Sequence, residues 1–186
     1  MLDNNFTIKN HLQNWLEKPD YKFMVTIPCD RNNEMTQQEM EQRLRIFDYK
    51  LNKKYMICKF PQLPLQNRIW SIGFIEKTTD EDTHLHILLF IPEYLPDGHS
   101  GFSKNMSPFK SRFIVNDIIQ SWISIPSKKP DGKLRKIKPP HIMRIKEKIK
   151  QSVARYVSKQ IKLDWDSMFF AFDGFDTHDT DGLFSN

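Results

Sequence analysis

Apolar positions along the chain switch between two periods, and the switches mark out the elements. Leu12, Trp15 and Leu16 lie at helical spacing and predict a short N-terminal helix that stops near Pro19. Lys22–Ile27 is rich in strand formers and ends at Pro28. Thr36 followed by Glu39 reads as a capping box, and Met40, Leu44, Phe47 and Leu51 then mark one face of a helix running to about Lys53. Strands are expected at Tyr55–Phe60, Arg68–Glu76 and His84–Ile91, the last two joined by the polar loop Lys77–Thr83. Pro92–Pro108 reads as loop, Phe109–Ser121 as helix, the lysine-rich Pro126–Pro140 as a mobile basic loop, and His141–Ile145 as a short strand. Ile145, Ile149, Val153, Val157 and Ile161 recur at steps of four and predict the clearest helix, and Met168–Phe172 reads as a last strand. Strands that follow one another through hairpin-like loops point to an α+β fold, an antiparallel sheet with helices packed on it.

Composition narrows the class. With 39% apolar residues, 14 Phe and 4 Trp in 186 residues, the chain can build one substantial core and is not of the disordered kind. Its longest apolar run, Ile87–Ile91, is far below the roughly 20 residues of a membrane span. The first residues lack the basic and apolar blocks of a secretion signal. Cys29 and Cys58 are too few for a disulfide scaffold or a four-thiolate metal site, so a reducing, intracellular home is the default expectation. The formal net charge of +5 conceals a strong asymmetry. Lys128–Lys162 holds 13 Lys/Arg against two acids, a net +11, whereas Leu163–Asn186 holds six Asp and no basic residue. A basic block of that density suits a phosphate backbone or forms a solvated helix face. The acidic end reads as a solubilising tail.

The sharpest candidate chemistry is His84-Leu85-His86 inside an apolar strand. Alternate residues of a strand point to one face, so the two imidazoles project together, about 6–7 Å apart along the strand. Glu76 ends the preceding strand, and a hairpin through Lys77–Thr83 brings it opposite the pair; Asp80, Glu81 and Asp82 lie in the turn and compete with it. Two imidazoles and a carboxylate suit Mn²⁺, Co²⁺ or Zn²⁺ better than Mg²⁺, although availability can make Mg²⁺ or Mn²⁺ the working ion. On the last helix, Tyr156 and Lys159 share a face. Such a pair is commonly an amphipathic Tyr beside a solvated Lys. Beside a metal it gains chemical sense, because an ammonium favours the phenolate, which makes up only about 0.1% of a free tyrosine at pH 7.

These features, in this order, resemble the HUH endonucleases, in particular the single-tyrosine replication initiators (Rep proteins) of rolling-circle plasmids and small single-stranded DNA viruses. Phe23-Met24-Val25-Thr26-Ile27-Pro28 looks like the first motif of that family, His84-Leu85-His86 with Glu76 upstream like the second, and Tyr156-Val157-Ser158-Lys159 like the third. The similarity spans about residues 22–172. It implies a five-stranded antiparallel sheet of the RRM-like nuclease type, with the histidines on a central strand and the tyrosine helix beside it. It also implies a divalent metal, Mn²⁺ or Mg²⁺, held by Glu76, His84 and His86, and metal-dependent nicking of single-stranded or origin-hairpin DNA. Tyr156 would be left on the 5′-phosphate with Lys159 assisting, and a free 3′-OH would remain for priming or for rejoining by reversal. Departures are present: Phe90 stands where some viral relatives carry Gln, and no Gly-x-x-x-x-Gly-Lys-[Ser/Thr] loop marks a helicase domain.

The resulting division is an N-terminal helical extension over 1–20, a nuclease domain over 21–172 and an acidic tail over 173–186. Arg155, Lys128, Lys129, Lys133, Arg135, Lys136 and Lys138 are the expected DNA contacts, and a host or replicon helicase and polymerase the expected protein partners. Localisation would be cytoplasmic in a bacterium, or nuclear for a eukaryotic virus. Two rival readings stay open: a single-tyrosine transposase, with Gln160 as a further ligand, and a nucleic-acid-binding module whose histidines are incidental.

Overall fold

The computed structural model describes residues 13–29, 35–55, 63–77, 83–92, 112–129, 131–160 and 168–170. Residues 13–17 are helical. The elements after them are β1 (Tyr21–Cys29), α1 (Gln37–Tyr55), a 3₁₀ turn (Leu65–Asn67), β2 (Trp70–Lys77), β3 (Thr83–Phe90), α2 (Arg112–Ile123), β4 (His141–Arg144), α3 (Glu147–Gln160) and β5 (Met168–Phe170). The strands form one sheet in the order β4-β1-β3-β2-β5, and each neighbouring pair is antiparallel. The chain is α+β, as its pattern predicts. Four strands of four to nine residues make the body of the sheet, and the three-residue β5 adds to the β2 edge.

Helices cover both faces, which explains why β3 is apolar on both sides rather than alternating. On one face Val25, Ile27, Leu85, Ile87 and Leu89 pack against Met40, Leu44, Phe47 and Leu51 of α1 and Ile114, Ile118 and Trp122 of α2. On the other, Met24, Ile72, Phe74 and Leu88 meet Leu16, Ile145 and the α3 residues Val153, Ala154 and Val157. A register shift between Tyr21 and Phe23 sends these two residues, nominally on one side, to opposite faces. Tyr21 thereby joins Trp70 and Phe90, whose rings stack at 5.3 Å, and the three aromatics fill one end of the α3 face. The opposite end of that face is polar, and the candidate site lies there.

α1 starts as its sequence predicts: the Glu39 N–H donates to Thr36 Oγ1 at 3.2 Å, and the Thr36 N–H donates to the Glu39 carboxylate at 2.7 Å. It runs two residues past the expected end, to Tyr55, where Lys54 and Tyr55 both bond Asp117 of α2. That extension displaces Tyr55 from the strand expected at Tyr55–Phe60, whose remaining residues lie outside the described part, as do Asp80–Asp82, nearly all of the expected loop Pro92–Pro108, and the tail 173–186. Polar groups on α1 also fix the start of β2. Asp48 accepts from the Ser71 N–H at 2.9 Å and the Ser71 hydroxyl at 2.6 Å, and Asn52 bonds both backbone groups of Ile69.

Residues 126–140 depart from the mobile loop expected. Lys128 and Leu134 pair as an antiparallel bridge around a turn in which Gly132 takes φ +81°, a conformation that favours glycine. Arg135 anchors this hairpin by two bonds to Glu39, at 3.1 and 3.2 Å, and one to the Lys128 carbonyl.

Candidate metal centre and tyrosine

Cross-strand register builds the centre. Glu76 of β2 lies directly opposite His84 of β3, as the hairpin reading expects, and His86 lies opposite Thr26 of β1 and Phe74 of β2. Because directly opposed residues share a face, Glu76, His84, His86 and Thr26 all project from the α3 side at its polar end. The His84 and His86 rings are 6.3 Å apart, in keeping with the rise between alternate strand residues. One ligand atom from each of Glu76, His84 and His86 can be chosen so that all three lie within 4.8 Å of one another. Two imidazole nitrogens and a carboxylate oxygen at that spacing fit a divalent cation, and the neighbouring Tyr156 is exposed to solvent.

α3 delivers the tyrosine. Its approach is fixed where the Ile145 N–H donates to the Lys22 carbonyl, at the far end of β1. From Glu147 to Tyr156 the helix climbs about 14 Å towards the polar end. Val153, Ala154 and Val157 are buried against the sheet, so Tyr156 sits at the margin of that face, 40% exposed. Its hydroxyl donates to Glu76 Oε2 at 3.0 Å, and its ring meets His86 edge-on with centroids 5.5 Å apart. The same Oε2 is 2.6 Å from His86 Nε2.

The protonation states follow from burial. His86 is 4% exposed, and burial pushes its pKa below the usual histidine value despite the opposing pull of Glu76, so the neutral, ligand-competent imidazole is favoured. Tyr156 is pushed above the usual phenol value, first by burial and then by the Glu76 carboxylate. The described partner of the phenol is an acid, and the Lys159 side chain lies outside the described residues.

Of the residues expected to act together, the structure joins Glu76, His84, His86 and Tyr156. Arg155 precedes Tyr156 on α3 and is exposed. Lys128, Lys129, Lys133, Arg135, Lys136 and Lys138 lie on the hairpin and the segment leading to β4, and most are exposed. Lys129 is half-buried, and the Arg135 side chain is 5% exposed and bonded to Glu39, which tethers the hairpin. The hairpin and the centre nevertheless share one end of the molecule. The hairpin is tied to the start of α1, and the chain beyond it enters β4 at His141, which pairs with Thr26.

The sequence reading overlooked what Thr26 touches. Its hydroxyl is 3.1 Å from His86 Nδ1. A polar residue in the apolar run Phe23–Ile27 is the only trace of that contact in the sequence. Among the described residues no helix is long and apolar enough to cross a membrane. No family model, no curated protein and no solved structure matches the chain.

Proposed function

We propose that the chain is a metal-dependent endonuclease of the HUH type that nicks single-stranded DNA and forms a 5′-phosphotyrosine at Tyr156. The observation that carries this reading is the Tyr156 hydroxyl 3.0 Å from a carboxylate oxygen belonging to a cluster of two histidines and a glutamate. A nucleophile on one element beside a ligand set on another is the minimum that covalent phosphoryl transfer requires. The middle position of β3 in an antiparallel sheet agrees with the resemblance read from the sequence.

Glu76, His84 and His86 would hold the cation, with Mn²⁺ favoured by the donor set and Mg²⁺ by availability. When bound, the cation would polarise the scissile phosphate and offset the carboxylate charge beside the phenol. The Tyr156 oxygen attacks phosphorus, an O–P bond forms as the bond to the 3′ oxygen breaks, and that oxygen leaves as a 3′-hydroxyl after taking a proton. The phenol must lose its proton for this attack, and the Glu76 carboxylate, to which it donates at 3.0 Å, or water accepts it. Attack by the same 3′-hydroxyl reverses the reaction and rejoins the strand. The basic hairpin and Arg155 would hold the flanking phosphates, and the resemblance gives Lys159 the task of stabilising charge at the phenol.

The test is incubation with labelled single-stranded oligonucleotides and Mn²⁺, followed by a search for a denaturation-resistant adduct. The expected result is an adduct with the unaltered chain that vanishes with EDTA and in Tyr156→Phe, while Tyr156→Phe still binds DNA. Binding without any adduct or cleavage, indifferent to metal, would replace this reading with that of a nucleic-acid-binding module.

A further inference from the structure

Thr26 occupies an unusual place in the site. It belongs to β1, is flanked by β3 and β4 in the sheet, and faces His86 directly across the β1–β3 ladder. Its Oγ1 is 3.1 Å from His86 Nδ1, and the other ring nitrogen of His86 points to Glu76 at 2.6 Å. A neutral imidazole carries one proton on one of these two nitrogens, and the other nitrogen supplies the lone pair. Nε2 can ligate a cation only if the proton sits on Nδ1, and at a buried position that N–H needs an acceptor.

We propose that Thr26 is a positioning residue whose hydroxyl accepts from Nδ1–H of His86 when the metal is bound and so holds the ring with its Nε2 lone pair towards the metal. This inference rests on the metal-centre reading above and deepens it. A hydroxyl fits this task in both states of the site. Without metal, an Nε2–H directed at Glu76 would leave Nδ1 to accept from the Thr26 hydroxyl. With metal, the ring would release the Nε2 proton to solvent and take one at Nδ1 from solvent, and the hydroxyl would turn to accept from it. A carboxylate in this position would only accept, and would add a second negative charge beside Glu76. The β-branched side chain of threonine, restricted at χ1 and comfortable in a strand, holds the oxygen in place at little entropic cost.

The experiment compares Thr26→Val, which keeps shape and strand propensity but removes the hydroxyl, with Thr26→Ser, which keeps the hydroxyl, and with His84→Ala. Mn²⁺ affinity is measured by titration without DNA. The His86 ring protons and nitrogens are followed by long-range ¹H–¹⁵N correlation in the Zn²⁺-loaded protein. Thr26→Val is expected to weaken Mn²⁺ binding about 10- to 100-fold and to lose the slowly exchanging Nδ1–H signal. Thr26→Ser should retain both, and His84→Ala should abolish tight binding. Unchanged affinity in Thr26→Val, or equal loss in Thr26→Val and Thr26→Ser, overturns the role of Thr26 while leaving the metal centre standing. Unchanged affinity in His84→Ala removes the metal centre itself, and this inference with it.

Discussion

Glu76 Oε2 accepts from the Tyr156 hydroxyl and also contacts the His86 ring, so one atom links the phenol to the candidate metal cluster. The Glu76 contact adds to partial burial, the larger cause, in holding the tyrosine above its ordinary pKa. A second acid behaves in the opposite way from a surface carboxylate for a different reason. Asp48 is buried, and desolvation raises its pKa to about 7 against the pull of its two Ser71 bonds and of Arg68. The folded chain therefore binds this proton more tightly than the unfolded chain, so the stability it brings is complete below about pH 4 and is lost as pH rises through 7. Urea denaturation at pH 5 and pH 8 should show a loss on the order of a few kcal/mol in the unaltered protein. In Asp48→Asn, which still offers an acceptor to the Ser71 N–H, most of that pH dependence should disappear.

At the level of elements, the basic hairpin shows where pattern ends and tertiary contact begins. Four prolines and many lysines between Pro126 and Pro140 read as an unanchored loop, because nothing local provides a partner. The anchor is Glu39, 96 residues away from Arg135 in sequence and already committed to capping α1. One acid thus closes a helix end and holds a hairpin. Exchanging the exposed Lys128, Lys133 and Lys136 for Gln should reduce the slope of log affinity for single-stranded DNA against log salt by about 2. Arg135→Ala should leave most of that slope in place and instead speed tryptic cleavage between Lys128 and Lys138; filter binding over a salt series and timed digestion separate the two effects. By contrast, α1, β2 and β3 were legible from period alone, since their apolar faces and the capping box at Thr36 are local signals. The pairing of His84 with His86 followed from alternation, and Glu76 from the hairpin. Thr26 was not legible as a partner of His86, since that contact joins residues 60 apart through strand order.

For the molecule as a whole, helices lie on each face of the sheet, and on the α3 face aromatic packing fills one end while the candidate centre occupies the other. If Glu76 of β2 and His84 and His86 of β3 are the ligands, a cation that binds all three needs the folded β2–β3 pairing and so favours the folded state. Mn²⁺ at about a hundredfold excess over its dissociation constant should then raise the melting temperature by roughly 5–10 °C. In a thermal melt, His84→Ala should show almost none of this rise. The electrostatic division of the chain works at the same scale: the surplus of positive charge is concentrated on the segment that contains the hairpin, β4 and α3.

The middle position of β3 has one more consequence. A slip of its pairing by a single residue would turn His84 and His86 under α1 and push Leu85 and Ile87 towards α3, exchanging every side chain of the strand at once. No graded loosening of the sheet can widen or tighten the grip on a cation without this wholesale inversion. Evolution or design that seeks a different ion must work by replacing side chains on a fixed lattice, whereas the tyrosine, borne on a helix that rides over that lattice, is the part free to be retimed.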